Sequence, residues 1–227
     1  MPIYHAKDNS FKQILGNNQL FVEFLKDFIP RTSSGMSDIL KDISPEDIED
    51  LKERFIPLFE EARDSDTVKR VSLKNHPPLF VIAIVEHESA VNFRSSFKML
   101  QYITLVLDFY EKEANAADSG ASLRKGFRYP PVLPVVFYDG TGPWTAETNF
   151  LKRTALNDVF EKYIPKFEYE VVSLNQYSPE ELTRFNDVLS LVLLIDHIGT
   201  MERKNLLKEL HPDYLERIAL KIPKNMN

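Results

Sequence analysis

The sequence predicts an α/β fold in which helices flank a central mixed sheet. Three observations carry that expectation. Residues 79–85 (LFVIAIV) are continuously apolar and rich in branched side chains, as a strand buried on both faces requires. Residues 132–138 (VLPVVFY) form a second run of the same kind, and between the two lie residues 94–113, with Phe97, Leu100, Ile103, Leu107 and Tyr110 at helical spacing. A helix between two buried strands implies a crossover, and hence a mixed sheet covered by helices.

The remaining elements follow in order. Residues 11–29 place Phe11, Ile14, Leu15, Phe21, Phe24, Leu25 and Phe28 mostly at helical spacing before Pro30, predicting one helix with a bend at Gly16. A short helix is expected where Ser44 can act as cap, Pro45 fits the first turn and Asp47 is a weak capping-box partner. Residues 55–59 (FIPLF) can form a first strand and residues 67–73 a second, with residues 79–85 at the centre of the sheet. Residues 114–128 are small, polar and basic, and read as a mobile loop. The strand at 132–138 stops at Asp139-Gly140, and Pro134 within it points to a sheet edge or a bulge. Residues 169–174 supply a further strand and residues 179–198 a final long helix. The expected organisation is one domain over residues 1–200, with 201–227 a charged tail or short helical appendage.

Composition narrows the chemistry. The chain has 227 residues, 43% of them hydrophobic, enough for a substantial core. No apolar run approaches the roughly 18 residues of a membrane span, and MPIYHAKDNSFK lacks the apolar centre of a secretory signal, so a cytoplasmic location is expected. With no cysteine, a disulfide framework, a thiolate zinc site and a cysteine nucleophile are all excluded. The formal net charge of -6 gives no overall attraction to nucleic acid, so any such binding must come from a local basic patch.

Two acidic clusters stand at predicted strand ends: Asp64-Ser65-Asp66 before the second strand, and Glu86-His87-Glu88 after residues 79–85. In an extended segment alternate side chains share a face, so Glu86 and Glu88 project to one side, with the His87 backbone carbonyl nearby. With Asp66 on the neighbouring strand, three carboxylates would converge and repel one another unless a cation compensates them. Magnesium prefers such oxygen ligands and keeps waters that can be activated. The plainer reading is that glutamates ending a strand are a solvated edge. What favours a site is the abrupt change from apolar to acidic at a strand end, where open α/β sheets often bind ligands. On the following helix Arg94, Lys98 and Gln101 share one face and could meet a phosphate together, although a solvated face explains them equally well. Asp8 and Lys12 have the spacing of a surface ion pair. The histidines show no metal-ligand spacing, and neither a Gly-rich phosphate loop nor a nucleophile elbow is present.

The segments Asp8-Asn9-Ser10-Phe11-Lys12, FLKDFIP, SPEDIE, DSDTVKRV, LFVIAIVEHES, FKMLQY and YPPVLPVVFYDGTGPW, in this order from about residue 8 to 198, resemble the YhgA-like or Rpn family of recombination-promoting nucleases and transposase-like proteins. The resemblance implies a PD-(D/E)XK restriction-endonuclease-like core and a metal-dependent DNA endonuclease using magnesium or manganese. It puts the superfamily aspartate on Asp66 and the glutamate of the E-x-K element on Glu86. Glu88 stands where the superfamily has lysine and this family commonly glutamine, and an anion there cannot supply the positive charge that a phosphodiester transition state needs. Glu88 could instead hold a second metal, or Lys98 could supply the charge from the helix. Lys7 replaces a histidine found in many members, and the chain looks shorter than many at its C-terminal end. Lys12, Arg124, Lys125 and Arg128 join Arg94, Lys98 and Gln101 as candidate phosphate contacts. DNA is the implied partner, and a homodimer is left open. The rival expectation is a degenerate nuclease fold that binds DNA or protein without cutting. RNA as substrate is a third.

Overall fold

The computed structural model describes residues 15–27, 35–51, 66–86, 91–138, 140 and 142–173. One compact unit comprises Glu46–Tyr138 and Trp144–Val172, and the other described residues belong to a second.

The first unit is built on a five-stranded sheet. Its strands are β1 (Ile48–Asp50), β2 (Thr67–Val71), β3 (Leu79–Glu86), β4 (Val132–Tyr138) and β5 (Glu170–Ser173), and they lie side by side in chain order. β1 pairs antiparallel with β2, and β2 antiparallel with β3, Thr67 facing Ala83 and Val71 facing Leu79. β3 and β4 run parallel, in register from Phe80 opposite Val132 to Glu86 opposite Tyr138. The sheet is therefore mixed, and a 23-residue helix, Ser95–Ala117, makes the crossover. Alternation puts Val68, Phe80, Ile82, Ile84, Val136 and Tyr138 on one face, in a core with Met99, Tyr102 and Val106 of this helix. Thr67, Lys69, Val71, Val81, Ala83, Val135 and Phe137 occupy the opposite face and are buried as well. A sheet covered on both sides explains why β3 is apolar throughout.

Pro134 lies inside a regular ladder, opposite Ile82, and β4 stands between β3 and β5. The expected edge or bulge is not formed. The Phe80 amide donates to the Pro131 carbonyl at 3.1 Å. Parallel alternation then turns the amides of Leu133, Val135 and Phe137 toward β3 and the donor-less nitrogen of Pro134 away from it.

The crossover helix outlasts its predicted end at residue 113 because Ala114, Ala116 and Ala117 are the strongest helix formers. The stretch 114–128, expected to be mobile, is tied down. Asn115 Nδ2 donates to Ser122 Oγ at 2.9 Å, the Ser122 amide donates to Asn115 Oδ1 at 3.0 Å, and a turn of 3-10 helix occupies Ala121–Leu123. Beyond β4, Trp144 packs edge-on against Tyr138 and Tyr169, its indole N–H donating to the Tyr169 hydroxyl at 3.3 Å. The strand expected at 169–174 is β5.

In the second unit α1 (Asn18–Asp27) begins anew two residues beyond Gly16, where a bend was expected. Asn17 causes the restart, its Oδ1 accepting from the amides of Gln19 at 2.9 Å and Leu20 at 3.2 Å as an N-cap does. A short helix, α2, covers Met36–Leu40; the crossover helix is α3, and α4 is Asn157–Phe160. The helix expected at Ser44 is a single 3-10 turn, Pro45–Asp47, running directly into β1. The strand expected at 55–59, the helix at 179–198 and the segment 201–227 lie outside the described residues. Among the described residues no helix is long and apolar enough to cross a membrane.

Candidate active site at the start of strand β2

Asp66 immediately precedes β2 and is only 1% exposed. An aspartate this deep needs donors, and α3 provides two from successive turns. Lys98 Nζ stands 2.7 Å from Asp66 Oδ2, and the Tyr102 hydroxyl donates to the same oxygen at 3.3 Å. Lys98 and Tyr102 are four residues apart, hence on one face of the helix, and both are buried. Removal from water raises the Tyr102 phenol well above its ordinary range, and the charge and hydrogen bond of Asp66 raise it further. Tyr102 therefore remains a protonated donor at any physiological pH. A carboxylate held by an ammonium and a phenol is fixed in position, which suits a catalytic or ligating group. Pairs withdrawn from water on both sides gain little net stability, because desolvation offsets the attraction.

Because β2 and β3 are antiparallel, the start of β2 lies beside the end of β3. Thr67 pairs with Ala83, three residues short of Glu86, so Asp66 and the backbone of Glu86 occupy the same end of the sheet. Lys12, Asp64, His87 and Glu88 lie outside the described residues. Among the described residues no three His, Asp or Glu side chains form a metal-binding group.

The basic residues fall into two sets. Arg94, exposed at the N-cap of α3, and the half-buried Gln101 flank Lys98. The entry to the helix is anchored by Asn92, whose Oδ1 accepts from the Arg94 amide at 3.0 Å and whose carbonyl accepts from Ser95 Oγ at 2.8 Å. Arg124, Lys125 and Arg128 follow the far end of α3, which is about 28 Å from Lys98 at 1.5 Å per residue. Arg124 is engaged by Asp118, its Nη2 lying 2.6 Å from Oδ1. Arg128 Nη1 donates to the carbonyls of Lys125 and Phe127 at 2.9 and 2.7 Å. The two sets do not form one patch at Asp66.

Nothing in the sequence patterns above gives Tyr102 a role; its i, i+4 spacing from Lys98 is the available signal. Nor do those patterns show a second buried lysine, Lys69, whose Nζ lies 3.0 Å from Oδ2 of the part-exposed Asp50 on the sheet face away from α3.

A family model described as "Putative transposase, YhgA-like" matches residues 5–220, nearly the whole chain. The chain belongs to the YhgA-like family. No curated protein and no solved structure matches it. The family description connects this YhgA-like protein with transposition, and so with DNA. Asp66, Lys98 and Tyr102, together with the strand end carrying Glu86, fall inside the matched span.

Proposed function

We propose that this YhgA-like protein is a metal-dependent DNA endonuclease of the PD-(D/E)XK type, hydrolysing phosphodiester bonds in recombination or transposition. The observation that carries the proposal is Lys98, which brings a buried ammonium to within 2.7 Å of Asp66 from the crossover helix. An E-x-K element places its lysine on the strand after the glutamate; here that position is Glu88, and Lys98 supplies the positive charge instead. The sheet supports the assignment: three antiparallel strands, a crossover helix and a parallel fourth strand are the order the superfamily core requires.

Magnesium or manganese would be held by the carboxylates of Asp66, Glu86 and Glu88 and the His87 carbonyl. The donor set fits in kind, since Asp66 is a hard oxygen donor fixed by two hydrogen-bonding partners. When bound, the ion would supply Lewis acidity toward the scissile phosphate. Tyr102 keeps Asp66 oriented. An ammonium has three N–H donors and the ion pair uses one, so Lys98 can donate to a phosphate oxygen, with Arg94 steadying the phosphate from the helix entry.

The rival reading, a degenerate fold that binds without cutting, draws on the same contact, because an ammonium on Asp66 already neutralises a carboxylate the metal would use. Plasmid nicking with and without magnesium, for the wild type, Asp66→Ala and Glu88→Gln, separates the two. The nuclease reading expects metal-dependent nicking that Asp66→Ala abolishes and Glu88→Gln weakens together with metal affinity. An inactive wild type, or a rise in activity for Glu88→Gln at unchanged metal affinity, would put the degenerate fold ahead.

A further inference from the structure

Beside the buried Lys98, the N-terminal end of α3 presents two large aromatic side chains to solvent. Phe93, in the turn entering the helix, is 53% exposed, and Phe97, in its first turn, is 46% exposed. Neither joins the core that Met99, Tyr102 and Val106 make with the sheet. At about 100° per residue the helix surface runs from Lys98 through Arg94 and Gln101 to Phe97, with Phe93 just before it at the helix entry. A buried cation, an exposed cation, an amide and two aromatic faces thus form one continuous strip that starts at Asp66.

We infer that this strip receives DNA whose bases at the cut are unpaired, with Phe97 and Phe93 stacking on the bases while Arg94 holds the adjoining phosphate. Interleaved cations and aromatic faces are how proteins grip single strands: each base has a π-face to stack, and the backbone follows the positive charge. Paired duplex bases present only their edges, which phenyl rings cannot hydrogen-bond. The occupant is assigned by continuity with the phosphate end of the strip and by the charge of Arg94 between the two parts. The inference rests on the nuclease reading and adds to it the state of the substrate.

The test uses the full chain and two DNAs of one sequence, a fully paired duplex and a duplex with a short unpaired gap carrying 2-aminopurine. Binding is followed with calcium replacing magnesium, and cleavage with magnesium. The wild type is expected to bind and cut the gapped DNA in preference to the duplex and to quench the 2-aminopurine on binding. Phe93→Ala with Phe97→Ala should lower affinity for the gapped DNA by about 10-fold or more and abolish the quenching, while the salt dependence of binding stays unchanged. Circular dichroism and thermal melting of the double variant should match the wild type, both side chains being exposed. Cleavage without preference for the gap, or a double variant that keeps both preference and quenching, would overturn the inference and leave the nuclease reading standing. A double variant that alters oligomeric state but not DNA binding would overturn it too, giving the phenylalanines to a second copy of the chain. A wild type that neither binds nor cuts either DNA would overturn the nuclease reading and the inference with it.

Discussion

Lys98 and Lys69 are both buried lysines in one unit, each paired with an aspartate, and the surroundings of the two aspartates differ. Lys69 projects from the middle of β2 and meets Asp50, its register partner on β1, at 3.0 Å; Thr67 Oγ1 also reaches Asp50, at 3.5 Å. Asp50 is 45% exposed, so water still solvates the anion while the lysine stem fills apolar space. Asp66 has no such relief, and both it and Lys98 are out of water. A pair with one wet end costs little to keep and serves to join β1 to β2. A pair dry at both ends could be replaced by apolar side chains with little loss or even a gain in stability, so stability alone does not account for it, and it is the better candidate for chemistry. The exposure of the acid, rather than the burial of the lysine, is therefore what separates the sheet-edge pair from the candidate site.

The largest effect should come from breaking the dry pair. Lys98→Met is expected to lower unfolding free energy by about 3–5 kcal/mol in urea titration, because it strands a buried carboxylate. It should reduce plasmid cleavage by about 100-fold or more. Adding Asp66→Asn should restore much of the stability and none of the cleavage. A fully active Lys98→Met protein would remove the basis for distinguishing the two lysines.

Tyr102→Phe should cost about 0.5–1.5 kcal/mol, the usual worth of one hydrogen bond, and should change the alkaline behaviour. The folded phenol lies above its unfolded value, so its contribution is fully present below about pH 10, where an unfolded tyrosine titrates, and is lost as pH rises beyond it. The urea midpoint of the wild type should fall more steeply above pH 10 than that of Tyr102→Phe. Equal slopes would mean that burial and Asp66 together do not hold the phenol in its protonated form.

Lys69→Met should change stability by less than about 1 kcal/mol and leave cleavage unaltered, since Asp50 can turn to water. A loss of cleavage comparable to that of Lys98→Met would place catalytic importance on the wrong face of the sheet.

How far the sequence reveals these differences depends on the length scale of each signal. β3, β4 and most of α3 are legible because their apolar patterns run for seven residues or more. β1 is three residues, Ile48-Glu49-Asp50, too short for any alternation to show, and with it unseen the partner of Lys69 could not be guessed. Pro134 misled because its donor-less nitrogen faces away from β3, so the β3–β4 ladder stays regular through it. Residues 114–128 looked loose because loop-like composition hides the pairing of Asn115 with Ser122 and of Arg124 with Asp118. The approach of Lys98 to Asp66 spans a strand turn and a helix entry. Resemblance to the family could nominate it, but only the fold measures it.

Arg124 and Asp118 extend the comparison to a pair wet at both ends, with side chains 58% and 57% exposed, and the smallest effect is expected there. Arg124→Ala should change stability by less than about 1 kcal/mol, because an exposed pair gains little over its hydrated parts and is screened by salt. Its influence on DNA should be equally slight. Asp118 already offsets the guanidinium, and the far end of α3 lies about 28 Å from Lys98. Arg94 differs in its place, one turn before Lys98 at the entry of α3. Fluorescence anisotropy across a range of salt concentrations is expected to show Arg94→Ala weakening DNA binding and lowering the salt slope by about 0.7 to 0.9, one phosphate contact, with Arg124→Ala changing neither. Asp118→Asn offers a further check, because it removes the charge that offsets Arg124 and leaves Arg94 untouched. If the slope rises by a full contact in Asp118→Asn, DNA reaches the far end of the helix, and the interface is longer than the strip that begins at Asp66.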